Sequence, residues 1–485
     1  MKLSELLESI TVTHVSGTAD VTVEDIAYDS RQVKPGGLFV AVHGHQVDGA
    51  TYITEALSKG AAVVVSENQL ELGAGATHVQ VPNARCALAE MASVYYGNPT
   101  RQMQVVGVTG TNGKTTTTYM IRDILQDGGF LPGLLGTVAY EIGDRSIPAS
   151  RTTPEAPDLH AMFRQMKDAG CDSVVMEVSS HALALDRVRG VDFNICVFTN
   201  LTQDHLDYHH DMENYFKVKA GLFQDLQKQH DQSAIINLDD PWGQKLLDHG
   251  ELQADVVTYG FDERAMVCAA KSSVDIHGTR FRIASPWGES RIHLKLLGRF
   301  NIYNALAAVA VGGVLGIPLE RICMSLERIT SIPGRLEPVP NRKKRKVFVD
   351  YAHTDDALKN VLSTLREICE GRLLVVFGCG GNRDRDKRVK MGRVAAELAD
   401  YSIVTSDNPR TEEPEAIVAD IIEGFGSESQ FEVRSDRREA IERGMQLIRR
   451  KDILLIAGKG HETYQEFNGT IVPFDDREVV REIFG

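Results

Sequence analysis

Short apolar runs alternate with amphipathic stretches through the first hundred residues. The runs predict buried strands at 36–42, 61–67 and 77–82, and the stretches predict helices at 52–60 and 86–97. Alternation of this kind is typical of an α/β unit. The turn-rich segment GNPTRQMQ (97–104) follows and predicts a linker.

Two further α/β series follow this linker. The second has predicted strands at 104–110, 172–179, 194–200 and 233–239 and a helix near 304–316; the third has predicted strands at 346–353, 372–381, 401–409 and 452–460. In the third series, polar residues follow each strand, as in open parallel sheets that bind ligands at strand carboxyl ends. With roughly 150 residues per domain, the pattern predicts an α/β protein of three domains, 1–100, 101–334 and 335–485.

Composition excludes several classes of protein. The 485 residues are 42% hydrophobic and 25% charged, with 67 acidic against 53 basic side chains and a formal charge of −14. These values indicate a folded chain and argue against a dedicated nucleic-acid binder. Seven scattered cysteines without CxxC pairs, an N-terminus unlike a signal peptide and no long apolar run predict a cytoplasmic protein without a membrane span. The basic run NRKKRK (341–346) predicts a solvated turn.

The motif with the clearest chemistry is VVGVTGTNGKTTTT at 105–118. A predicted strand leads into a glycine loop, and a helix is expected to begin at the Lys-Thr pair. Loop amides and a helix N-terminus favour a polyphosphate, Lys114 can reach its β and γ groups, and Thr115 offers a hydroxyl to Mg²⁺. Val108 stands where the strict pattern has glycine, so this is a variant phosphate loop.

Two further strand ends carry polar residues. In MEVSSHAL (176–183), Glu177 can either bind Mg²⁺ through a hard oxygen or cap the next turn. In VFTNLTQDHLDYH (197–209), two aspartates and two histidines lie close together: Asp204, His205, Asp207 and His209. Without a cysteine at metal-ligand spacing, a magnesium-linked or nucleotide-linked role fits this cluster better than a zinc site.

These three elements, in this order, resemble the Mur ligases, which are ATP-dependent amide-forming enzymes of peptidoglycan precursor synthesis. The segments YDSRQVKPGGLFVAVHGHQVDG, GRFNIYN, PGRLE, DYAHTDDAL and AGKGHE extend the resemblance over essentially the whole chain. It implies an N-terminal UDP-sugar domain, a central phosphate-loop ATPase domain with a parallel sheet and a C-terminal Rossmann-like domain. The segment SDNPRTEEP (406–414) is similar to the form of the family that adds meso-2,6-diaminopimelate to UDP-N-acetylmuramoyl-L-alanyl-D-glutamate.

The resemblance also implies which residues meet each substrate. The UDP-sugar would be held by Ser30, His45, Gln46, Thr152, Thr153, Ser179 and Arg187. ATP would be held by Gly110, Thr111, Asn112, Gly113, Lys114, Thr115, Thr116, Asn304, Arg335, Asp350 and His353. The amino acid would be held by Arg388, Asp407, Asn408, Pro409, Arg410, Gly458 and Glu462. Where the family has a further polar residue this chain has Leu185, so that contact is not expected.

Lys219, in ENYFKVKAGLF, matches a lysine that is carbamylated in these enzymes to N6-carboxylysine. The resemblance implies that this carbamate, Thr115, Glu177 and His205 bind Mg²⁺, and that Lys114, Lys219, Glu177 and His205 are catalytic. From its helical context alone, Lys219 would be an ordinary surface lysine, and only the alignment distinguishes it from Lys217.

Three alternatives to a diaminopimelate-adding ligase stay open from the sequence. They are a lysine-adding ligase, which differs at the position of Arg410, a folylpolyglutamate synthase-like ligase, which would lack the N-terminal domain, and a phosphate-loop ATPase that forms no amide. If the protein is a diaminopimelate-adding ligase, we expect ATP as co-substrate, Mg²⁺ as cofactor, a monomer in the cytoplasm and no nucleic-acid partner.

Overall fold

The computed structural model describes residues 1–44, 47–72, 75–227, 231–249 and 252–484. The chain divides into two compact units. The first holds Met1–Thr109, Phe130–Cys196 and Gly221–Gln232, and the second holds Gly110–Gly129, Val197–Ala220 and Ser233–Gly485. These units do not coincide with the three predicted domains, whose boundaries stay predictions.

The N-terminal hundred residues form a five-stranded sheet in the order β1-β5-β4-β3-β2, with β1 antiparallel and the other strands parallel. Its elements are α1 (Leu3–Leu7), β1 (His14–Ser16), β2 (Ile26–Ala27), β3 (Leu38–Val40), α2 (Ile53–Ser58), β4 (Val63–Ser66), β5 (Thr77–Gln80) and α3 (Ala84–Tyr95). Alternate residues serve opposite faces: Leu38 and Val40 pack with α1 and α3, whereas Phe39 packs with α2. All predicted strands and helices of this region are present. The predicted linker contains a 3₁₀ turn, Pro99–Gln102.

The middle of the chain contributes strands and helices to both units. They are β6 (Gln104–Thr109), α4 (Lys114–Gly128), β7 (Pro132–Leu135), β8 (Ala139–Ile142), β9 (Arg145–Pro148), α5 (Ala156–Asp168), β10 (Ser173–Glu177), α6 (Ser180–Ala184), β11 (Ile195–Phe198), α7 (Leu206–His209), α8 (Met212–Gln224), β12 (Ser233–Asn237), α9 (Pro241–His249), β13 (Asp255–Gly260), β14 (Val267–Asp275), β15 (Gly278–Ser285), β16 (Gly288–Leu294), α10 (Arg299–Val314) and α11 (Leu319–Arg328). The helix expected near 304–316 therefore begins earlier, at Arg299.

In this middle region, the strands that lead into the predicted loops run mostly parallel to their neighbours. In the first unit, β6, β10 and β7 are parallel neighbours, and β8 and β9 continue the sheet antiparallel. In the second unit, β12, β13 and β14 are parallel, and β14, β15 and β16 form an antiparallel meander. The predicted parallel sheet is present, and antiparallel strands extend it.

The C-terminal third lies within the second unit. Its elements are β17 (Glu337–Pro338), β18 (Lys346–Asp350), α12 (Asp355–Ile368), β19 (Leu373–Phe377), α13 (Asp386–Leu398), β20 (Tyr401–Val404), α14 (Pro414–Ile422), β21 (Phe431–Val433), α15 (Arg437–Leu447), β22 (Ile453–Ala457), β23 (Tyr464–Phe467), β24 (Thr470–Pro473) and α16 (Asp476–Phe484). The sheet order is β17-β18-β22-β19-β20-β21, parallel except at β17, and β23 and β24 form a separate hairpin. The carboxyl ends of β18, β22, β19 and β20 therefore face one edge, as the Rossmann-like prediction requires.

Hydrophobic runs explain why the C-terminal strands are central. Val375 and Leu455 point to one face of the sheet, and Leu374 and Leu454 point to the other, so both faces are covered by helices. Helix α12 begins where the Thr354 hydroxyl accepts a hydrogen bond from the Ala357 amide. All seven cysteines are free thiols. Within the described ranges, no helix is long and apolar enough to cross a membrane.

Candidate active site

The phosphate loop occupies residues 110–113, between the end of β6 at Thr109 and the start of α4 at Lys114. Gly110 and Gly113 adopt positive φ angles of 145° and 86°. A Cβ at Gly110 would collide with the Thr199 hydroxyl, and a Cβ at Gly113 would lie 2.5 Å from Asn304 Oδ1. Both glycines are required by conformation and by space, and the predicted helix start at the Lys-Thr pair is confirmed.

Residues 199–202 brace this loop from the side. The Asn200 carbonyl accepts from the Thr111 amide at 2.9 Å, and the Asn200 side chain accepts from the Asn112 amide at 2.9 Å. The Thr199 hydroxyl donates to the Asn112 carbonyl at 2.6 Å. These bonds fix the loop in a conformation whose helix-side amides are preorganised for an anion.

Asp356, at the start of α12, is a further support that sequence reasoning missed. Its carboxylate accepts hydrogen bonds from Asn112 Nδ2 at 2.8 Å and from the Thr202 hydroxyl at 3.2 Å. Burial raises the pKa of this carboxyl. The motif DYAHTDDAL contained Asp356, but nothing local in the motif indicated a partner 244 residues away.

Two lysines approach the same loop. Lys114 Nζ donates to the Gly110 and Thr111 carbonyls at 2.8 and 2.7 Å, and Lys219 Nζ donates to the Gly110 carbonyl at 3.0 Å. Lys219 is only 1% exposed and lies 4.9 Å from the Tyr215 ring centroid. Burial, together with Lys114, lowers the pKa of Lys219 well below its ordinary value, against the opposing effect of Asp204. Lys219 is thus a buried amine, not the surface lysine its helix alone would suggest.

Asp204 and His205 lie in the same unit as these lysines. The His205 ring is 3.3 Å from Asp204 Oδ2, and the backbone of His205 is left-handed with φ 54°. Burial by itself would raise the pKa of Asp204, but the neighbouring His205, His353, Lys387 and Lys114 together lower it. Among the described residues, no group of three or more His, Cys, Asp or Glu side chains forms a metal cluster.

The other predicted ATP residues lie around the loop in the second unit. Arg335 Nη2 donates to the Thr115 hydroxyl at 2.8 Å, and its guanidinium lies over the Tyr351 ring. Asn304 accepts from the Thr117 hydroxyl at 3.2 Å. Thr116 is buried in the first turn of α4. The structure therefore places Asn304 and Arg335 against the phosphate loop and the start of α4, although their contact with a nucleotide stays a prediction.

Asp350 ends β18, His353 lies three residues after it, and both bind the local backbone. Asp350 accepts from the Leu336 and Ala352 amides at 2.5 and 2.7 Å, and burial raises its pKa although Arg335 opposes the shift. His353 Nδ1 lies 2.8 Å from the Tyr351 carbonyl, and burial lowers the pKa of His353 to about 4. His353 is therefore neutral at physiological pH.

Most residues predicted to hold the muramoyl dipeptide meet at the end of β10, in the first unit. The Thr153 hydroxyl donates to the Glu177 carbonyl at 2.8 Å and accepts from the Ser179 amide at 3.1 Å. Arg187 donates to the Thr153 carbonyl at 3.2 Å, and Thr152 contacts the Thr137 hydroxyl at 3.1 Å. Within the described residues, the buried Nε of Arg187 has no hydrogen-bond partner.

Glu177 itself is 1% exposed and accepts from the Thr137 amide at 2.8 Å and from the Thr137 hydroxyl at 3.0 Å. The alternative that Glu177 caps the next turn is wrong, because Ser179 is the N-cap of α6. Thr115, His205 and Lys219 belong to the second unit and Glu177 to the first. That these four residues share Mg²⁺ stays a prediction.

The UDP contacts are only partly within the described chain. Ser30 lies in a 3₁₀ turn, where its hydroxyl donates to Glu55 at 2.8 Å and its carbonyl accepts from Lys59 at 3.1 Å. His45 and Gln46 lie outside the described residues. Ser30 is therefore the predicted UDP contact that the structure describes.

Residues 407–410, after β20, and residues 458–462, after β22, come together in the second unit. A Cβ at Gly458 would lie 2.5 Å from Asp407 Oδ2, and Asn408 Nδ2 donates to Glu462 Oε2 at 2.9 Å. Arg410 has φ 55°, and its Nη1 donates to the Gly381 carbonyl at 2.8 Å. Pro409 is buried beside Gly381. The DNPR and AGKGHE motifs thus form one surface.

Arg388, also predicted to hold the amino acid, is buried and bound to carboxylates of the protein. It is 1% exposed, its two terminal nitrogens bind both oxygens of Glu412 at 3.0 Å, and Nη1 also binds Asp420 at 2.9 Å. Hydrogen bonds from Arg388 lower the pKa of Glu412 to about 2. Its predicted contact with an amino acid stays a prediction, because in this structure the guanidinium serves two protein carboxylates.

Comparison with known proteins agrees with this geometry. The phosphate loop and the C-terminal parallel sheet define a phosphate-loop α/β protein, and three parts of the chain match named domains. Residues 22–96 match the Mur ligase family catalytic domain, 108–312 the Mur ligase middle domain and 334–460 the Mur ligase glutamate ligase domain. The chain belongs to the Mur ligase family, so the resemblance inferred from its motifs and the α/β fold class are confirmed.

Individual relatives match over their full length. The chain is 44% identical to a UDP-N-acetylmuramoyl-L-alanyl-D-glutamate--2,6-diaminopimelate ligase of Syntrophomonas wolfei, covering 100% of this chain and 99% of that protein. It is 45% identical to the protein of the same name from Geobacter metallireducens, covering 100% and 98%. A solved structure with that enzyme name has a TM-score of 0.71 at 33% identity and covers 100% of this chain and 98% of its own.

Proposed function

We propose that the chain joins meso-2,6-diaminopimelate to UDP-N-acetylmuramoyl-L-alanyl-D-glutamate in an ATP-dependent amide-forming reaction of peptidoglycan synthesis. One observation carries the proposal. A single compact unit holds a braced phosphate loop with two lysines and, at the carboxyl ends of β20 and β22, a surface that presents an arginine beside carboxylates. The full-length likeness to relatives named for this reaction supports it.

The chemistry requires activation of a carboxylate, which by itself is a poor acyl donor. The D-glutamate carboxylate attacks the γ-phosphorus of ATP, ADP leaves, and an acyl phosphate forms. The neutral amine of the amino acid then attacks the acyl carbon, phosphate leaves, and the nitrogen loses a proton. In this scheme the loop amides and Lys114 stabilise phosphoryl charge, and catalysis is mainly positioning and electrostatics.

On the muramoyl-dipeptide side, the residues around β10 supply polar groups for a sugar peptide. Thr152, Thr153, Ser179 and Arg187 would hold it, and Ser30, with His45 and Gln46, would hold the UDP portion. Arg187 Nη2 is paired with Glu155 at 2.8 Å, but its buried Nε has no partner among the described residues, and a ligand oxygen that accepted from Nε would remove the cost of desolvating it.

Magnesium fits the chain only on one condition. Thr115, His205 and Glu177 offer one hydroxyl, one imidazole and one carboxylate, and no cluster of acidic or histidine ligands stands among the described residues. A carbamate on Lys219 would add the hard oxygen donor that Mg²⁺ prefers, and formation of a carbamate from CO₂ requires the neutral amine that the lowered pKa of Lys219 favours. When bound, Mg²⁺ would neutralise phosphate charge.

Arg410 is the residue we assign to the choice of amino acid. Diaminopimelate differs from lysine by a carboxylate on the distal carbon, and a guanidinium can bind that group through two hydrogen bonds. The Arg410 side chain is 22% exposed and lies 3.4 Å from Glu466 Oε2, so it is held in place without being enclosed. Lysine has no distal carboxylate to offer the guanidinium and would bring a second cation near it.

We expect Arg410→Ala to lose most use of meso-diaminopimelate. A charge-assisted pair contributes roughly 2–3 kcal/mol, which is about 30- to 150-fold in kcat/KM. The measurement is kcat/KM for diaminopimelate and for L-lysine in the wild type and the variant. Arg410 has φ 55°, a conformation that asparagine tolerates well, so Arg410→Asn removes the guanidinium without adding backbone strain.

Arg434→Ala, which removes an exposed arginine of the same unit, is the matched control and should keep its activity. An unchanged kcat/KM for diaminopimelate in both Arg410 variants contradicts the assignment. A wild type that prefers L-lysine supports the lysine-adding alternative instead.

We further propose that the protein acts as a monomer in the cytoplasm and that, through cell-wall synthesis, it supports cell shape and division.

A further inference from the structure

Lys459 is a fully buried cation in the motif AGKGHE. It lies between β22 and the β23–β24 hairpin, its side chain is 0% exposed, and it is flanked by Gly458 and Gly460 at φ 113° and 54°. A buried ammonium is stable only when polar groups replace its hydration shell. Its partners are therefore fixed parts of the structure.

Those partners are two side chains of the predicted amino-acid surface. Lys459 Nζ donates to Asn408 Oδ1 at 3.1 Å and to Glu462 Oε2 at 3.0 Å. Asn408 Nδ2 in turn donates to the same Glu462 oxygen at 2.9 Å, which closes a triangle of three side chains. The triangle ties the loop after β20 to the loop after β22.

The triangle also determines how Asn408 is oriented. The Glu466 amide donates to Asn408 Oδ1 at 3.1 Å, so Oδ1 receives two donors and Nδ2 must face Glu462. Within the described part of the chain, both side-chain hydrogen bonds to Glu462 end on Oε2, so Oε1 is the oxygen we assign to an incoming group. The Glu462 side chain is 18% exposed, so part of it is open to solvent.

We propose that Lys459 is a positioning residue for the incoming amino acid. Its ammonium holds Asn408 and Glu462 as one rigid unit, and it thereby sets the direction from which Glu462 Oε1 meets the substrate's ammonium group. This inference rests on the proposed function, since it assigns Lys459 to the amino-acid site of that reaction. Lys459 acts through Glu462 and Asn408 and need not touch the substrate.

The substitution Lys459→Met keeps an unbranched side chain that is one atom shorter and removes the charge and the donors. Glu462 and Asn408 then lose their common partner, so the amino-acid surface loses its preorganised geometry. We expect the KM for the amino acid to rise about 20-fold or more, with the KM values for ATP and for the UDP-linked substrate within about twofold of the wild type. The exposed Lys451, 72% exposed in the same unit, provides the control Lys451→Met, which should change none of these values.

A double-mutant cycle separates positioning from a general effect on folding. If Lys459 acts through Glu462, then adding Lys459→Met to Glu462→Gln should change kcat/KM for the amino acid by less than about threefold, whereas the same change in the wild type is large. Full multiplication of the two effects overturns the proposal. So does an equal rise in all three KM values, and so does an amino-acid KM within about twofold of the wild type.

The experiment also distinguishes this proposal from the proposed function. The wild-type enzyme is first assayed with a panel of amino acids, and that result alone tests the choice of diaminopimelate. The variant-to-wild-type ratio of KM is then measured with whichever amino acid the wild type uses best. Lys459 is thus tested even where diaminopimelate is not the preferred substrate, and a wild type that forms no amide with any amine overturns both proposals.

Discussion

Phosphate release by the Lys114→Ala variant is expected to fall at least about 100-fold, because the variant lacks the cation that stabilises charge on the transferred phosphoryl group. In the structure, Lys114 Nζ is held by the Gly110 and Thr111 carbonyls, within the loop itself. A bound phosphate would replace these neutral acceptors by charged ones, so the ammonium interacts most strongly where phosphoryl charge is greatest. The measurement is kcat for phosphate release with all substrates saturating.

The matched control is Lys295→Ala, which removes an exposed lysine of the same unit and should keep normal activity. The thermal midpoint of Lys114→Ala should stay close to that of the wild type, because its amine donates to carbonyls of a loop that residues 199–202 already brace. Activity of Lys114→Ala within about tenfold of the wild type would contradict the role, since it would correspond to less than about 1.4 kcal/mol.

Lys219→Ala should be nearly inactive, with a loss of at least about 100-fold in kcat. The reason is specific to its environment: the amine is buried beside the phosphate loop, its pKa is lowered by burial and by Lys114, and its proposed carbamate would carry the anionic oxygen that the metal requires. Short carboxylates such as acetate or propionate should restore part of the activity, because they can occupy the space of the lost side chain and supply that oxygen.

Lys217 is the natural control for this experiment, since it lies on the same helix, α8, two residues away and exposed to solvent. Lys217→Ala should behave like the wild type, with no response to added carboxylates. Equal losses in the two variants would indicate a defect of the helix and would contradict the assignment. Loss in Lys219→Ala without any rescue by carboxylates would contradict the carbamate and leave a role for the amine alone.

Strands, loops and helices were predicted well because they depend mainly on residues that are close together in the sequence. The run VVGVT followed by GTNGKTT defines a strand, a loop and a helix through propensities and glycine requirements that act within a few residues, and the structure begins α4 at Lys114 as expected. The apolar run NALAAVAVGGVLG predicted a helix near 304–316, and the structure begins α10 earlier, at Arg299. Boundaries of this kind depend on tertiary contacts.

The site was less predictable wherever a side chain finds its partner far along the sequence. Lys219 is buried and donates to a carbonyl 109 residues away. Its helical context could not show this distant partner and suggested an exposed side chain. Arg388 binds Glu412 and Asp420, which the motif GNRDRDKR gave no reason to expect. Glu177 meets Thr137 rather than the turn that follows it. In each case the family resemblance named the residue, and only the fold shows what surrounds it.

The measurement that tests the central claim most directly is phosphate release coupled to detection of the amide product. The full chain is incubated with Mg²⁺ and with ATP, UDP-N-acetylmuramoyl-L-alanyl-D-glutamate and meso-diaminopimelate, and each of these three substrates is omitted in turn. We predict one phosphate released per amide formed, little release when any substrate is absent, and much lower rates with L-lysine. Phosphate release at an undiminished rate without the amine, or without any amide product, would contradict the account and indicate a phosphate-loop ATPase.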